Sequence, residues 1–205
     1  MIPKIDFTLD DVLLEEDMVS ISSTYRDISC TSKKELNKNL KISNPLFFNY
    51  GYSSFKRLNK EKLNLHLLED CLVKNYDGIW RNSTGGCLIY EKGDYMGWHT
   101  NNEREGIRFY FTYSFEEKSN FFRYRNPYTE EVVDSYDKVG WNFRLFYIDK
   151  ENPFWHCVVA NSKRYSFGFS WDKENEPSQK IIEEIKLCLQ SQSHKEALQK
   201  IGLGP

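Results

Sequence analysis

Residues 107–114 read Ile-Arg-Phe-Tyr-Phe-Thr-Tyr-Ser, a short run made almost entirely of aromatic, β-branched and hydroxyl side chains. Such residues favour strands because their side chains pack well on a pleated surface. Similar runs lie on both sides of it, separated by turn residues, from Gly85-Gly86 onward. This pattern is typical of an antiparallel sandwich or barrel.

We predict seven strands in this region. They cover Cys87–Glu91, Ile107–Ser114, Ser119–Arg125, Glu131–Ser135, Trp141–Ile148, Phe154–Ala160 and Arg164–Trp171. Asn126-Pro127-Tyr128-Thr129 has proline at its second position, which suits a turn, so the third and fourth strands should form a hairpin. This number of short strands fits a jelly roll. The expected fold class is therefore mainly β, a jelly-roll core with flanking helices.

Apolar residues at helical spacing flank the strand region on both sides. Leu63, Leu67 and Cys71 predict a helix from about Asn59 to Asn75, with Asp77-Gly78 as its exit. Ile181, Ile182, Ile185 and Leu189 predict a C-terminal helix followed by a polar tail. We therefore divide the chain into an N-terminal extension (1–56), a jelly-roll domain with a leading helix (57–175), and a C-terminal helix and tail (176–205).

Composition narrows the function classes. The chain has 205 residues, 28 basic and 30 acidic, so its net charge of −2 offers no broad attraction to nucleic acid or to an anionic membrane. Five scattered cysteines without a Cys-x-x-Cys pair indicate neither a disulfide framework nor a structural zinc site. No apolar run approaches the ~20 residues of a membrane-spanning helix, and Met1 to Glu16 does not have the pattern of a secretory signal. We expect a cytoplasmic protein with no membrane partner.

Two of the four histidines lie in aromatic, strand-like segments. His99 and Asn101 are two residues apart, so on an extended strand both side chains would lie on one face. His156 follows in a later predicted strand, and Arg164 and Ser166 share a face of the next one. An arginine fork beside a serine hydroxyl suits a carboxylate ligand. A histidine in an aromatic strand can also be an ordinary core residue bonded to backbone.

The segment Tyr90-Glu91-Lys92-Gly93-Asp94-Tyr95-Met96-Gly97-Trp98-His99-Thr100-Asn101, followed by His156 and Arg164-x-Ser166, resembles the iron(II) and 2-oxoglutarate-dependent oxygenases, especially their prolyl-hydroxylase-like branch. The resemblance covers roughly residues 86 to 171. It implies a double-stranded β-helix, with Fe(II) held by His99, Asn101 and His156. It also implies that Arg164 binds the distal carboxylate of 2-oxoglutarate, assisted by Ser166 and a following-strand tyrosine such as Tyr110.

The chain departs from this family at Asn101, where the family has an acidic metal ligand. A neutral amide oxygen binds iron more weakly than a carboxylate does. Asn101 could still bind the metal, Glu103 or Glu105 could replace it, or the position could stay open as in the halogenating members. Because asparagine is bulkier than the glycine or alanine of those members, hydroxylation ranks above halogenation. A catalytically inactive jelly-roll binding module is the other alternative.

We expect the substrate to be a small molecule or a peptide. Four arginines could select an acidic group if they faced the mouth of the site: Arg108, Arg123, Arg125 and Arg144. The nucleic-acid dealkylating branch of the family carries a second arginine six residues after the first, and position 170 here is serine. Nucleic acid is therefore a disfavoured partner.

Overall fold

The computed structural model describes residues 2–23, 28–41, 53–76, 81–101, 104–171, 176–191 and 194–205. The strands in these ranges are β1 (Met18–Ser23), β2 (Ser53–Leu58), β3 (Arg81–Tyr90), β4 (Tyr95–His99), β5 (Gly106–Ser114), β6 (Phe121–Arg125), β7 (Val132–Tyr136), β8 (Gly140–Ile148), β9 (His156–Val159) and β10 (Arg164–Trp171). The helices are α1 (Leu9–Val12), α2 (Lys33–Asn39), α3 (His66–Asn75), α4 (Glu176–Gln190) and α5 (His194–Lys200). Short 3₁₀ turns cover Ile28–Thr31 and Lys60–Lys62.

The ten strands belong to one antiparallel sheet, in the order β7-β6-β9-β4-β2-β3-β10-β5-β8, with β1 beside β2. The sheet is curled, as side-chain contacts between strands far apart in this order show. Phe146 of β8 packs against His156 of β9, and Arg144 of β8 hydrogen-bonds Ser135 of β7. The predicted mainly β class is confirmed.

All seven predicted strands are found, with ends shifted by up to a few residues except in β3, which begins earlier, at Arg81. The hairpin predicted at residues 126–129 is confirmed, since β6 pairs with β7 through Arg125 and Val132. The prediction omitted β1, β2 and β4. The charged residues of β2 interrupt the apolar pattern by which a strand is predicted. Pairing with β3 and β4 holds β2 in the sheet. β2 crosses the predicted boundary between the N-terminal extension (1–56) and the jelly-roll domain (57–175).

The helices flank the sheet as expected, with two differences in extent. The leading helix α3 ends at Asn75 as predicted but begins only at His66, because Lys60–Lys62 form a 3₁₀ turn and Leu63 is extended and bridges Leu13. The predicted exit at Asp77-Gly78 lies outside the described residues. The C-terminal helix is confirmed as α4, and the expected polar tail contains a further short helix, α5.

Both faces of the half-sheet β3-β10-β5-β8 are covered, which explains why β5 and β10 are buried along most of their length. Directly opposed residues of antiparallel strands share a face. One face carries Phe109, Phe111 and Phe169, where Phe111 packs edge-on against Phe169 and Phe109 packs against Tyr76 beyond α3. The other faces β6 and β9, and Arg164 and Ser166 lie on it. Within the described ranges, no helix has the length and apolar character needed to cross a membrane.

Candidate metal centre and arginine cluster

His99 and His156 lie side by side at the same end of neighbouring strands. His99 ends β4, His156 begins β9, and the two residues are direct partners in the antiparallel register. Their ring centroids are 4.0 Å apart, and both residues are buried. The structure therefore brings together the two histidines that the sequence singled out, although 57 positions separate them.

Both imidazoles are fixed in the same way. His99 Nδ1 lies 2.8 Å from the carbonyl oxygen of Gly97, and His156 Nδ1 lies 2.9 Å from that of Phe154. An imidazole that donates from Nδ1 to a backbone carbonyl carries its lone pair on Nε2. Histidines that bind metals are commonly oriented by such a bond from the other ring nitrogen. Nε2 is thus the nitrogen of each ring that could coordinate a metal ion.

Burial keeps the two rings neutral. It lowers the pKa of His99 to about 4. Burial, reinforced by the adjacent His99 ring, holds the pKa of His156 well below its ordinary value. Neutral imidazoles at physiological pH are the form that binds metal ions.

Aromatic rings enclose His156. Phe122 stacks on it with centroids 5.2 Å apart, while Phe146 and Phe154 lie at 5.3 and 5.8 Å. All three phenylalanines are fully buried. Close-packed aromatic side chains of this kind exclude water and hold the ring in one orientation.

The Asn101 side chain lies beside the histidine pair because of a backbone conformation that the sequence did not predict. Its backbone is left-handed, with φ of 55°, rather than extended as a strand position would be. Asparagine adopts this conformation more readily than most residues. The turn places Asn101 Nδ2 3.2 Å from His156 Nε2, so the amide can donate to that ring nitrogen. The predicted proximity of His99, Asn101 and His156 is found, but the period of two residues is not its cause.

Among the described residues, no third histidine, cysteine, aspartate or glutamate joins His99 and His156 in a group that could hold a metal ion. Glu103, one proposed substitute, lies outside the described residues. Glu105, the other, accepts a hydrogen bond from the Tyr147 hydroxyl at 2.6 Å. Asn101 is the polar side chain that the described structure places in contact with His156 Nε2.

Arg164 forms part of a buried cluster of two arginines and one aspartate. Its Nε donates to Asp137 Oδ2 at 2.7 Å, and Arg144 Nη2 donates to Asp137 Oδ1 at the same distance. Burial by itself would raise the pKa of the Asp137 carboxyl, but Arg164 and Arg144 outweigh it and hold that pKa below its ordinary value. We call Arg144, Asp137 and Arg164 the arginine cluster. Its side chains are almost completely buried.

Two nitrogens of the arginine cluster have no hydrogen-bond partner among the described residues, Nη1 and Nη2 of Arg164. The Arg164 guanidinium also lies 5.6 Å from the centre of the Tyr90 ring. Leaving buried donors unsatisfied is costly, and in folded proteins such groups often face a ligand or ion. The terminal edge of Arg164 therefore has the chemistry needed to bind a carboxylate.

Ser166 and Tyr110 lie on the same face as Arg164. Ser166 is opposite Thr112, and Tyr110 is opposite Gly168, in the pairing of β10 with β5. The Tyr110 ring packs edge-on against Phe122 at 6.4 Å and Phe146 at 5.1 Å, the same rings that surround His156. Phe122 also lies 5.5 Å from the Arg144 guanidinium carbon. Phe122 thus contacts both His156 and Arg144.

Sequence reasoning missed Asp137 entirely and considered Arg144 only as a residue that could face the mouth. Asp137 lies in the connection between β7 and β8, in a segment with ordinary turn composition. Arg144 offered a signal, because a charged residue in the apolar strand Gly140–Ile148 is unusual at a buried position. Asp137, Arg144 and Arg164 come from three separate parts of the chain, and only the fold brings them into contact.

The donor set fits iron(II) and 2-oxoglutarate in part. Two oriented imidazoles and the unpartnered Arg164 nitrogens suit the metal and the distal carboxylate. The amide of Asn101 lies beside them and lacks the negative charge that the third ligand usually carries. No protein-family model matches the chain, and no curated protein matches it.

Proposed function

We propose that this chain is a non-haem iron(II), 2-oxoglutarate-dependent oxygenase that hydroxylates a small molecule or a peptide. The observation that carries the proposal is the His99–His156 pair, two buried imidazoles whose Nδ1 atoms both face backbone carbonyls. With Nδ1 as the donor, Nε2 is the nitrogen of each ring that carries the lone pair needed to bind iron. Arg164, with two buried and unpartnered nitrogens, supports a carboxylate co-substrate.

We further propose that the strands from β3 to β10 form a double-stranded β-helix, or jelly roll. Counted from β3, the first strand pairs with the eighth, the second with the seventh, the third with the sixth and the fourth with the fifth. This nested pairing is expected when a long hairpin folds over on itself into a jelly roll. In this arrangement the histidines come from one pair of strands and Arg164 from another.

Each part of the chain would have its own task in the reaction. When bound, iron(II) and 2-oxoglutarate supply the oxidising chemistry of hydroxylation. His99, His156 and Asn101 would hold the metal, and Arg164 with Ser166 would orient the distal carboxylate. Phe122, Phe146 and Phe154 exclude water around His156. None of the five cysteines, all of which lie in the described ranges, forms a disulfide, and this agrees with a reducing, cytoplasmic location as part of the same proposal.

An inactive jelly-roll binding module is the second candidate. It is favoured by the hydrogen bond between Asn101 and His156, which occupies the His156 nitrogen that a metal would need. A halogenase-type variant has less support. The Asn101 side chain lies beside His156, whereas that chemistry needs an open position.

Anaerobic Fe(II) binding followed by an assay of succinate release from 2-oxoglutarate tests the proposal. We expect the wild type to bind iron and release succinate, and His99→Ala to lose both. His66→Ala is the matched control, since the His66 side chain is 87% exposed on α3 and should leave both properties unchanged. A wild-type protein that binds neither Fe(II) nor 2-oxoglutarate would contradict the oxygenase proposal and favour the binding module.

A further inference from the structure

Hydrogen bonds hold Asp137 at both its carboxylate and its backbone. Its two oxygens accept one hydrogen bond each from Arg164 and Arg144. Its backbone N–H donates to the Asn120 carbonyl at 2.9 Å, and its carbonyl accepts from the Lys118 N–H at 2.8 Å. A carboxylate fixed in this way can determine where both guanidiniums lie.

Arg144 and Arg164 differ in how many of their nitrogens donate hydrogen bonds within the protein. Every Arg144 nitrogen has a partner: Nε donates to Ser135 Oγ at 3.3 Å, Nη1 to Thr112 Oγ1 at 3.2 Å, and Nη2 to the Ser135 carbonyl and Asp137. Arg164 uses Nε alone, and its Nη1 and Nη2 stay without a partner among the described residues. The ligand-binding edge thus belongs to Arg164, while Arg144 is fully engaged in the protein.

The charge of the arginine cluster is also defined. Two guanidiniums and one carboxylate leave a single net positive charge in a buried setting. A group with one negative charge would balance it, whereas a doubly charged group would leave an excess. Uncompensated charge is costly where the surroundings have a low dielectric constant.

We propose that Arg144 and Asp137 are positioning and specificity-determining residues. They fix Arg164 through its Nε so that Nη1 and Nη2 stay available to a ligand, and they set the net charge of the arginine cluster so that it takes a singly charged carboxylate group in preference to a doubly charged anion. This inference rests on the proposed function for the identity of the ligand as a dicarboxylate. It extends that function by naming residues that act on the ligand only through Arg164.

The wild type provides the first test. Metal-free protein is titrated by calorimetry with succinate, which carries its two charges on separate carboxylates, and with sulfate, which carries both on one centre. We expect succinate to bind at least about tenfold more tightly, since a mismatch of one buried charge has an effect of at least that size. Equal or tighter sulfate binding would overturn the assignment of charge selectivity.

Two substitutions of Arg144 separate charge from packing. Arg144→Lys and Arg144→Met both lose the fork that bonds Ser135 and Thr112, but only Arg144→Met loses the charge. We expect Arg144→Met to weaken succinate binding by about tenfold or more and Arg144→Lys to recover most of the loss. Equal weakening in both variants would show that Arg144 has a purely structural role and would overturn the inference, as would unchanged binding in both.

Asp137→Asn tests the same inference without a change of shape. It allows the inference to be refuted even if the Arg144 variants do not fold. The substitution raises the net charge of the arginine cluster by one, so the preference should shift from succinate toward sulfate. Circular dichroism and thermal unfolding check that each variant is folded. An unchanged ratio of the two affinities in folded Asp137→Asn would contradict the inference.

The measurements need neither iron nor turnover, so the two proposals can fail separately. Arg144-dependent succinate binding without iron-dependent succinate release would refute the oxygenase and leave this inference standing. Iron-dependent turnover with unaltered succinate binding in Arg144→Met would do the opposite. A wild type that does not bind succinate would overturn the inference.

Discussion

At the scale of single residues, Asn101 is the point where the chain departs most clearly from iron-binding chemistry. Its left-handed backbone brings the side chain beside His156, and the amide can donate to the ring nitrogen. Aspartate tolerates the same backbone conformation. An aspartate side chain should therefore fit at position 101. It would differ from Asn101 in having an oxygen in place of the amide nitrogen and in carrying one negative charge.

We predict that Asn101→Asp strengthens Fe(II) binding by about tenfold or more, because a carboxylate is a better ligand for a hard divalent ion and offsets part of its charge. Anaerobic Fe(II) titration gives the affinities. Asn101→Gly is the matched control, since glycine accepts the positive φ but supplies no ligand. If the aspartate and glycine variants bound Fe(II) equally, a role of position 101 in metal binding would be wrong.

At the scale of elements, the C-terminal segment after α5 is held against the sheet by a close backbone contact. The Ile201 carbonyl accepts from the Leu145 N–H of β8 at 2.9 Å. Gly202 follows with φ of +71°, and a Cβ atom there would overlap the Phe143 carbonyl oxygen. The segment can approach β8 this closely only because residue 202 has no side chain.

Gly202→Ala should lower the free energy of unfolding by more than about 3 kcal/mol, because it adds a backbone clash to the strain of a left-handed alanine. Urea denaturation measures the change. Gly140→Ala separates the two effects, since Gly140 has φ of +83° and a Cβ atom added there would meet no other atom within 4 Å. That control should lose only about 1 kcal/mol. Similar losses in both variants would argue against the clash.

At the scale of the whole molecule, the site depends on the curl of the sheet. β7 and β8 are the first and last strands in the sheet order, yet Arg144 joins them through Ser135. We call this contact between β7 and β8 the seam. The C-terminal segment adds to this seam, because the Gly202 carbonyl accepts from Ser135 Oγ at 3.3 Å and the Leu203 carbonyl from the Tyr124 hydroxyl at 3.2 Å. Closure of the seam and order in the arginine cluster are therefore linked.

Removal of residues 201–205 should open this seam while leaving the β4–β9 pairing in place. Hydrogen exchange measured by mass spectrometry should speed up in β7 and β8, where the Leu145 N–H loses its partner, and much less around His99 and His156. Removal of residues 204 and 205 alone is the control, because it keeps the three contacts with Ile201, Gly202 and Leu203. Uniform acceleration across all strands would show that the tail stabilises the fold as a unit.

Local sequence determined the strands from β5 to β10, the hairpin between β6 and β7, and the end of α3, because periodicity and turn chemistry act over a few residues. It also singled out His99, Asn101, His156 and Arg164, whose types carry recognisable chemistry. The charged strand β2 and the left-handed turn at Asn101 escaped prediction, since pairing partners distant in the chain hold the first and its surroundings hold the second.

Only the tertiary structure decided which of these residues meet. The register of β4 and β9 places His99 against His156, and the curl of the sheet brings Asp137 and Arg144 to Arg164. No local pattern encodes such contacts, because they depend on the relative placement of strands that lie far apart in sequence. The sequence by itself therefore determined the candidate chemistry, whereas the fold decided the partners, charge and burial under which that chemistry would operate.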